Sequence, residues 1–580
     1  MAQAATKKVT ALHKGYRTRH QIRVVTAASL FDGHDASINI IRRILQASGS
    51  EVIHLGHNRA VDEIVTAAIQ EDVQAIAVSS YQGGHIEFFK YMLDLLRERG
   101  AGDIRVFGGG GGVIVPAEIR ELEEYGVARV YSPDDGQRMG LQGIIDDMLA
   151  QSDFDPAAQV PPDVEALGKG DWRALARFIT ALENGVLAKD QAQEIARRAG
   201  KLSASVPVIG ITGTGGAGKS SLTDELVLRF RLDHDDALKI AIIAVDPSRR
   251  KTGGALLGDR IRMNAIHVPT IYMRSLATRQ AQRELPKTLP EIIAATKVAG
   301  FDLVIIETPG IGQGDAGIVP FADVSLYVMT PEFGAASQLE KIDMLDFADL
   351  VAINKFDRRG AQDALRDVRK QIQRNHQAFS APIEEMPVYG TVAAHFNDDG
   401  VTALYQGLTA RMREKGVWER HGRLPAAGVK VSTGETVIVP PARQRYLAEI
   451  AETVRGYKET VGEQVRLARE RQQLVESQRM LGESGQDASA LAKLIAEREQ
   501  AMDPRARKLI DIWPKIKDSY TGEEYVVKIR DREIRTPLQY TTLSGTQIPK
   551  VGLPRYEDHG ELLRWLLLEN LPGKIGRAHV

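Results

Sequence analysis

Gly213-Thr-Gly-Gly-Ala-Gly218-Lys219-Ser220 follows the apolar run Val208 to Thr212 and opens a stretch in which Leu222, Leu226 and Phe230 recur at helical spacing. A buried strand, a glycine-rich loop and a helix in that order restrict this part of the chain to a parallel α/β sheet carrying a phosphate-binding loop. The glycines let backbone N–H groups close around phosphate oxygens, and the helix N-terminus adds a favourable dipole. Lys219 neutralises the β and γ oxygens, and the Ser220 hydroxyl reaches magnesium. Gly213, Gly216, Ala217, Gly218, Lys219, Ser220 and Ser221 are therefore the candidate phosphate binders.

A magnesium nucleotide site also needs acids at the ends of neighbouring strands, and Asp246 and Glu307 each end an apolar run. Glu307-Thr-Pro-Gly310 has the form of a loop that senses the γ-phosphate, and Gly310-Ile-Gly-Gln-Gly314 gives it freedom to move. Lys219 and Glu307 are the candidate catalytic groups. Taken singly, each acid also reads as a helix cap or a surface charge. Asn354-Lys355-Phe356-Asp357 follows a further strand. A carboxylate at Asp357 accepts both the N1 and N2 protons of guanine, a pairing adenine does not offer, so the tetrapeptide argues for GTP over ATP.

Two rounds of α/β alternation organise the chain. The first predicts strands at Ile22 to Thr26, Glu51 to Leu55, Ala75 to Ser79, Ile104 to Phe107 and Val127 to Tyr131, five units of a flavodoxin-like domain. The second predicts six, at Val206 to Thr212, Lys239 to Asp246, Asp302 to Glu307, Val324 to Thr330, Leu350 to Asn354 and Met386 to Tyr389. Between the two rounds, Asp153 to Asp163 is rich in proline and acid and reads as a linker. From Tyr446 onward, apolar residues spaced by threes and fours among Glu, Arg and Gln predict long helices.

Composition narrows the partners. With 75 Lys and Arg against 76 Asp and Glu, the chain has no global attraction for nucleic acid or anionic lipid. No cysteine is present, which excludes disulfides and thiolate chemistry and accords with a cytoplasmic protein. No apolar run is long enough for a membrane span. The basic, acid-poor stretch Lys7 to Arg23 reads as a solvated arm.

In the first domain, Asp32-Gly33-His34-Asp35-Ala36-Ser37 comes directly after the first strand, at the carboxyl edge where parallel sheets bind ligands. His34 can donate its Nδ1 proton to Asp32 and present Nε2 to a metal, the acid fixing the tautomer. A lone loop histidine is also commonly just solvated. Ser79-Ser-Tyr-Gln-Gly-Gly-His85 and Gly108 to Gly112 end strands at the same edge, and their small residues leave room for a large flat ligand.

These motifs resemble two known families. The phosphate loop, the stretch from Asp246 through Asp259 to Arg262, Glu307-Thr308-Pro-Gly-Ile-Gly-Gln and Asn354-Lys355-Phe-Asp357 resemble the G-protein chaperones of cobalamin-dependent acyl-CoA mutases. That likeness implies that Asp246, Asp259, Glu307 and Thr308 join Ser220 around magnesium, that Arg262 approaches the nucleotide, and that hydrolysis gates cofactor loading. The first domain resembles the cobalamin-binding domain of mutases and methionine synthase, which implies that Asp32, His34, Ser79, Gly108 and Gly109 bind cobalamin, with His34 as the lower cobalt ligand. Ser37 stands where that family's motif has glycine.

Tyr540 to Asp558 and the Leu-rich stretch after it resemble the opening of acyl-CoA mutase large subunits. Ile575-Gly-Arg-Ala-His-Val580 does not continue that pattern, and its back-translation reads as a sequencing adapter, so a truncated gene model is expected. The order of parts resembles that of the fused isobutyryl-CoA mutases. It implies a basic arm at 1–20, a cobalamin-binding domain at 21–150, linker and helices at 151–205 and a P-loop GTPase domain at 206–416. A helical linker at 417–515 and the start of a mutase (β/α)8 barrel domain at 516–574 complete it, with 575–580 as artefact.

The activity this resemblance implies is adenosylcobalamin-dependent interconversion of isobutyryl-CoA and n-butyryl-CoA. The acyl-CoA site would lie in the missing barrel, so only GTP hydrolysis is expected of these 580 residues. Adenosylcobalamin, Mg2+ and GTP are the implied cofactors; a homodimer and an adenosyltransferase delivering cobalamin are the implied partners, with no nucleic acid or membrane. Two alternatives stay open: a cobalamin-binding GTPase serving a separate mutase, and a fused mutase for pivalyl-CoA or methylmalonyl-CoA. A P-loop kinase beside an ordinary flavodoxin-like domain would instead prefer ATP and bind no corrin.

Overall fold

The computed structural model describes residues 15–159, 163–202, 205–249, 252–279, 285–310, 316–334, 339–434, 446–529, 532–542 and 545–568. Most of the expected basic arm, the loop residues 311–315 and the closing segment 569–580 lie outside the described residues. The chain divides into two compact units, Met1–Ile438 and Val439–Val580.

The first unit holds two parallel sheets. Strands β1 (Arg23–Ser29), β2 (Glu51–Arg59), β3 (Ala75–Ser79), β4 (Arg105–Gly109) and β5 (Arg129–Tyr131) form one of them in the order β5-β4-β3-β1-β2. Helices α1 (Ala36–Ala47), α2 (Val61–Gln70), α3 (His85–Glu98), α4 (Pro116–Tyr125) and α5 (Pro133–Ser152) connect or follow them. β1 is buried along its whole length, as expected for a strand covered on both faces. The order reverses at β1, which pairs with β2 on one side and β3 on the other, so the loops after β1 and β3 part to leave a crevice.

The second sheet has the order β13-β12-β11-β6-β10-β7-β9. Its strands are β6 (Val208–Gly213), β7 (Ile240–Asp246), β9 (Ile271–Ala277), β10 (Leu303–Glu307), β11 (Val324–Met329), β12 (Leu350–Asn354) and β13 (Val388–Thr391). Six strands were expected here and seven are present. The added one, β9, has a charged residue at its centre, which hides it from a reading based on apolar runs. Arg274 is fully buried there because Glu183 lies 2.7 Å away, on the helix Trp172–Asn184.

A further strand, β8 (Ala255–Leu257), lies between β7 and β9 in sequence but pairs with neither of them. It extends the first sheet, running parallel to β2 with Ala255 opposite Glu51 and Leu257 opposite Ile53. The two α/β regions are therefore knitted together, and Met1–Ile438 behaves as one compact unit. Asp153, within the expected linker, is likewise built in, its carboxylate accepting N–H groups from Arg19 at 2.8 Å and His20 at 2.9 Å.

The second unit is helical at its core. The helices Tyr446–Glu483, Pro504–Thr521 and His559–Leu567 meet at Leu467, Ala468, Ile510 and Leu563. Two antiparallel ribbons, β14 (Glu524–Ile529) with β15 (Arg532–Pro537) and β16 (Gln539–Thr541) with β17 (Gln547–Pro549), lie in the stretch expected to begin a barrel. Among the described residues this stretch forms no parallel βα unit.

β2 carries a buried histidine. His54 Nδ1 lies 2.9 Å from Thr26 Oγ1, and burial, reinforced by Arg42, pulls its pKa down to about 4. A depressed imidazole stabilises the fold above its unfolded value of about 6.5 and loses that contribution as pH falls toward its folded value. Lowering the pH from 7.5 to 5.5 should cost the native protein about 1 kcal/mol through this residue. His54→Asn should flatten that acid limb in urea unfolding measured at the two pH values.

Candidate functional site

Two sites stand at the carboxyl edges of the two sheets. In the second sheet, β6 lies between β11 and β10, and the loop after it leads into the N-terminus of the helix Lys219–Asp233. Gly218 has φ +86, and a Cβ there would stand 2.6 Å from Asn354 Nδ2. Only glycine lets the loop and the base-reading strand approach so closely.

Register brings the acids to one edge. Glu307 pairs with Ile211 on one side and Ala244 on the other, so it ends its strand two residues short of Asp246 at the same end of the sheet. Ser220 Oγ lies 2.7 Å from Glu307 Oε1 and 3.0 Å from Asp259 Oδ1. Thr223 Oγ1 donates to the other Glu307 oxygen at 3.0 Å, while Thr308 Oγ1 donates to Thr212 at 2.8 Å. Arg262 is exposed and stands 3.5 Å from Asp259.

Three carboxylates converge with too little positive charge between them. Burial first, then Asp259, pushes Glu307 up to about 7 from its ordinary 4.5. Burial, then Asp259 and Glu307, hold Asp246 well above the carboxylate range, and its Oδ2 is buried without a hydrogen-bond partner. This donor set fits a hard dication. Among the described residues no three His, Asp or Glu side chains can hold a metal by themselves.

The base reader closes a separate cavity of about 260 Å³, lined by Gly218, Ser221, Lys355 and Asp357 among others. Asn354 does not point into open space. It donates Nδ2–H to the Ala217 carbonyl at 2.8 Å and accepts the Ala393 N–H at 3.1 Å, which ties three loops into one wall. Lys355, at φ +59, donates to the Gly216 carbonyl at 2.7 Å. Lys219 Nζ lies 3.3 Å from the Gly213 carbonyl oxygen, close to the loop it would serve. The sequence reading missed Val392 to His395, the opposite wall of this cavity. They follow β13 as the plain run Val-Ala-Ala-His, which matches none of the phosphate, acid or base-reading motifs.

In the first sheet the Asp32 carboxylate is the hub of the crevice. It accepts His34 N–H at 2.9 Å and Tyr81 N–H at 2.7 Å, and it stands 2.9 Å from His34 Nδ1. Burial alone would raise its pKa, but these N–H donors outweigh it and hold the carboxyl below its usual value. The His34 side chain is 76 % exposed and its ring lies 5.5 Å from the Tyr81 ring. Beside it a cavity of about 260 Å³ runs between α1 and the ends of β3, β4 and β5, passing Ser37, Ser79, Gly108 and Gly109. Gly110 lets the loops after β3 and β4 pack against each other, since a Cβ there would sit 2.0 Å from the Ser80 carbonyl oxygen. The Ser37 and Ser79 hydroxyls are buried without partners, which suits a ligand carrying polar groups into an apolar slot.

A P-loop nucleotide site fused to a sheet with a histidine-bearing crevice defines a class: a GTPase joined to a cobalamin domain. The model of the methylmalonyl-CoA mutase-associated GTPase MeaB matches residues 175–493, and that of the B12 binding domain matches residues 22–137. The first match covers more than half of the chain, which therefore belongs to the mutase-associated GTPase family. The fused isobutyryl-CoA mutase of Cupriavidus metallidurans is 65% identical over 96% of the chain and 51% of its own length. Proteins of the same name from Geobacillus kaustophilus and Nocardia farcinica are 55% and 57% identical over 97% and 96% of the chain, and 52% and 51% of theirs. The chain thus spans about half the length of the curated relatives it matches.

Because Glu307 titrates near 7 in the folded protein, its contribution to stability is present below about 4.5 and is lost as pH rises through 7. A dication that compensates the ionised carboxylates reverses this. The thermal shift given by magnesium and GDP should be larger at pH 8 than at pH 6, and Glu307→Gln should remove the difference.

Proposed function

We propose that this chain binds adenosylcobalamin at Asp32 and His34 and magnesium GTP at the phosphate loop, and that GTP hydrolysis gates loading of the cobalamin. The observation that carries this reading is the pairing of the Asp32–His34 crevice with a magnesium nucleotide site within one knitted unit. The proposed activity of a protein carrying this chain is that of an isobutyryl-CoA mutase, as the names of the fused relatives suggest, with n-butyryl-CoA as the other acyl-CoA. The acyl-CoA would meet a barrel domain that the described residues do not contain. A homodimer and a delivering adenosyltransferase accord with this role.

Each residue has a physical task. Asp32 holds the His34 imidazole in the tautomer that leaves Nε2 free to ligate cobalt. Ser79, Gly108 and Gly109 border the slot for the cofactor's tail. Once bound, adenosylcobalamin supplies the radical chemistry of the rearrangement. In the second sheet Lys219 and the loop amides bear the phosphate charge. Ser220, Asp246, Asp259 and Glu307 would hold magnesium, with Thr308 near enough to support the set and Arg262 placed to approach the phosphates. Asp357 reads guanine while Asn354 and Lys355 brace the loop beneath it.

Adding adenosylcobalamin to the purified chain should shift its absorbance to the base-off, histidine-on form. His34→Ala should abolish the shift while leaving GTP binding intact; an unshifted spectrum with the wild-type protein would overturn the cobalamin assignment. In the second sheet, Asp357→Asn should reduce the preference for GTP over ATP at least about tenfold, since a site built to accept two protons then meets an unpaired donor.

A further inference from the structure

The strand β8 lies between two acids of the nucleotide site, Asp246 and Asp259, and the short helix Asp259–Arg262 begins at the second, yet both pack on β2 of the cobalamin-side sheet. β2 is irregular at that place. Thr26 pairs with His54, Ala27 with Gly56 and Ser29 with Arg59, so β2 carries extra residues that β1 does not match. Such a bulge bends its strand and re-aims the residues beyond it.

Gly56, at φ +84, lies in the bulge, and Ile261 fills the space above it. A Cβ at Gly56 would stand 2.8 Å from Ile261 Cδ1. Two residues beyond, Asn58 adopts φ +55 and its Oδ1 accepts the Phe31 N–H at 2.8 Å. Phe31, itself at φ +62, precedes Asp32. An unbroken run of contacts therefore leads from Asp259, through Ile261, the Gly56 bulge and Asn58, to the loop that presents His34.

We propose that Ile261 and Asn58 are positioning residues that tie the magnesium-binding segment of the nucleotide site to the Asp32–His34 loop. The proposal rests on the reading that both ligands bind. When Asp259 takes up magnesium, the short helix it begins is drawn toward the ion, and Ile261 moves with it. The bulge is the compliant part of β2, so displacement there passes to Asn58 and resets the Phe31 backbone instead of shearing the sheet. Coupling of this kind is reciprocal: the factor by which nucleotide state changes cobalamin affinity is the factor by which cobalamin changes nucleotide affinity.

The test is a set of cobalamin titrations, read from the absorbance of the histidine-on form, on the 580-residue chain with magnesium plus either GDP or a non-hydrolysable GTP analogue. The wild-type protein should show cobalamin affinities that differ by about fivefold or more between the two nucleotides. Asn58→Gly keeps the left-handed backbone and loses only the acceptor, and Ile261→Ala removes the contact with the bulge. In both variants the ratio should fall toward one, and in Asn58→Gly the GTP affinity measured without cobalamin should be unchanged. Asn58→Asp retains an acceptor and should restore the ratio. Equal affinities in the wild type, or a wild-type ratio in both Asn58→Gly and Ile261→Ala, would overturn the coupling while leaving the proposed function standing. Failure of the wild-type chain to bind cobalamin would remove both.

Discussion

Each of the two parallel sheets has an open edge, and each edge is closed by the other region of the chain. β2 ends the cobalamin-side sheet, and β8 pairs with it from the GTPase side. β9 ends the GTPase sheet, and the end of α2 covers it. Gln70 Nε2 donates to the Ile271 carbonyl at 3.1 Å, the Tyr272 hydroxyl donates to the Gln70 carbonyl at 3.0 Å, and Glu71 accepts the Ser275 N–H at 3.0 Å. Two side chains thus do for β9 what a neighbouring strand would do. An unpaired edge strand invites pairing with other chains, and buried backbone groups demand partners, so this exchange answers both requirements at once.

The exchange places charge where charge is costly. Arg23 is buried between Glu51 and Glu71, at 2.7 Å from each, and donates to the Ser275 carbonyl at 2.8 Å. Arg279 reaches Glu51 at 2.7 Å, and Arg260 approaches Glu71 at 3.3 Å while donating to the Met273 carbonyl at 2.6 Å. Burial opposes ionisation of Glu51, yet Arg279 and Arg23 hold its pKa down to about 2. Such a lattice adds little net stability over an apolar contact, but breaking it leaves an unpaired buried charge costing about 3–5 kcal/mol. Its effect is on alignment: the sheets meet in the register that satisfies every charge, and sliding by one residue would leave several unpaired.

This also explains what could be read from the sequence. The strands with phosphate, metal and base-reading residues were legible because each is an apolar run ended by glycine, acid or amide, as at Gly213, Glu307 and Asn354. His34 was legible through Asp32 two residues before it. β9 was not, because Arg274 and Ser275 interrupt its apolar pattern and their partners, Glu183 and Glu71, lie 91 and 204 residues away. β8 was not, because three residues make no periodicity and its partner strand belongs to another region. The role of Asn354 was legible in kind only; that its amide braces the phosphate loop at Ala217 depends on Gly218, whose missing side chain has no signature apart from the loop itself.

Knitting of this sort changes what a nucleotide can do. If the GTPase sheet and the cobalamin sheet met only through a linker, a small shift at Asp259 would be absorbed by rotation between them. Here the segment that carries Asp259 is simultaneously a strand of the other sheet, and close-packed interiors transmit displacement instead of absorbing it. The charged lattice fixes the two sheets against sliding, so the freedom that remains is local and lies at the Gly56 bulge, where a left-handed glycine faces Ile261. Stiff surroundings and one compliant element are what a two-state response requires. Under the proposed coupling, the same buried Arg and Glu residues that hold the regions together would confine it to β2, whose Asn58 accepts the Phe31 N–H beside Asp32.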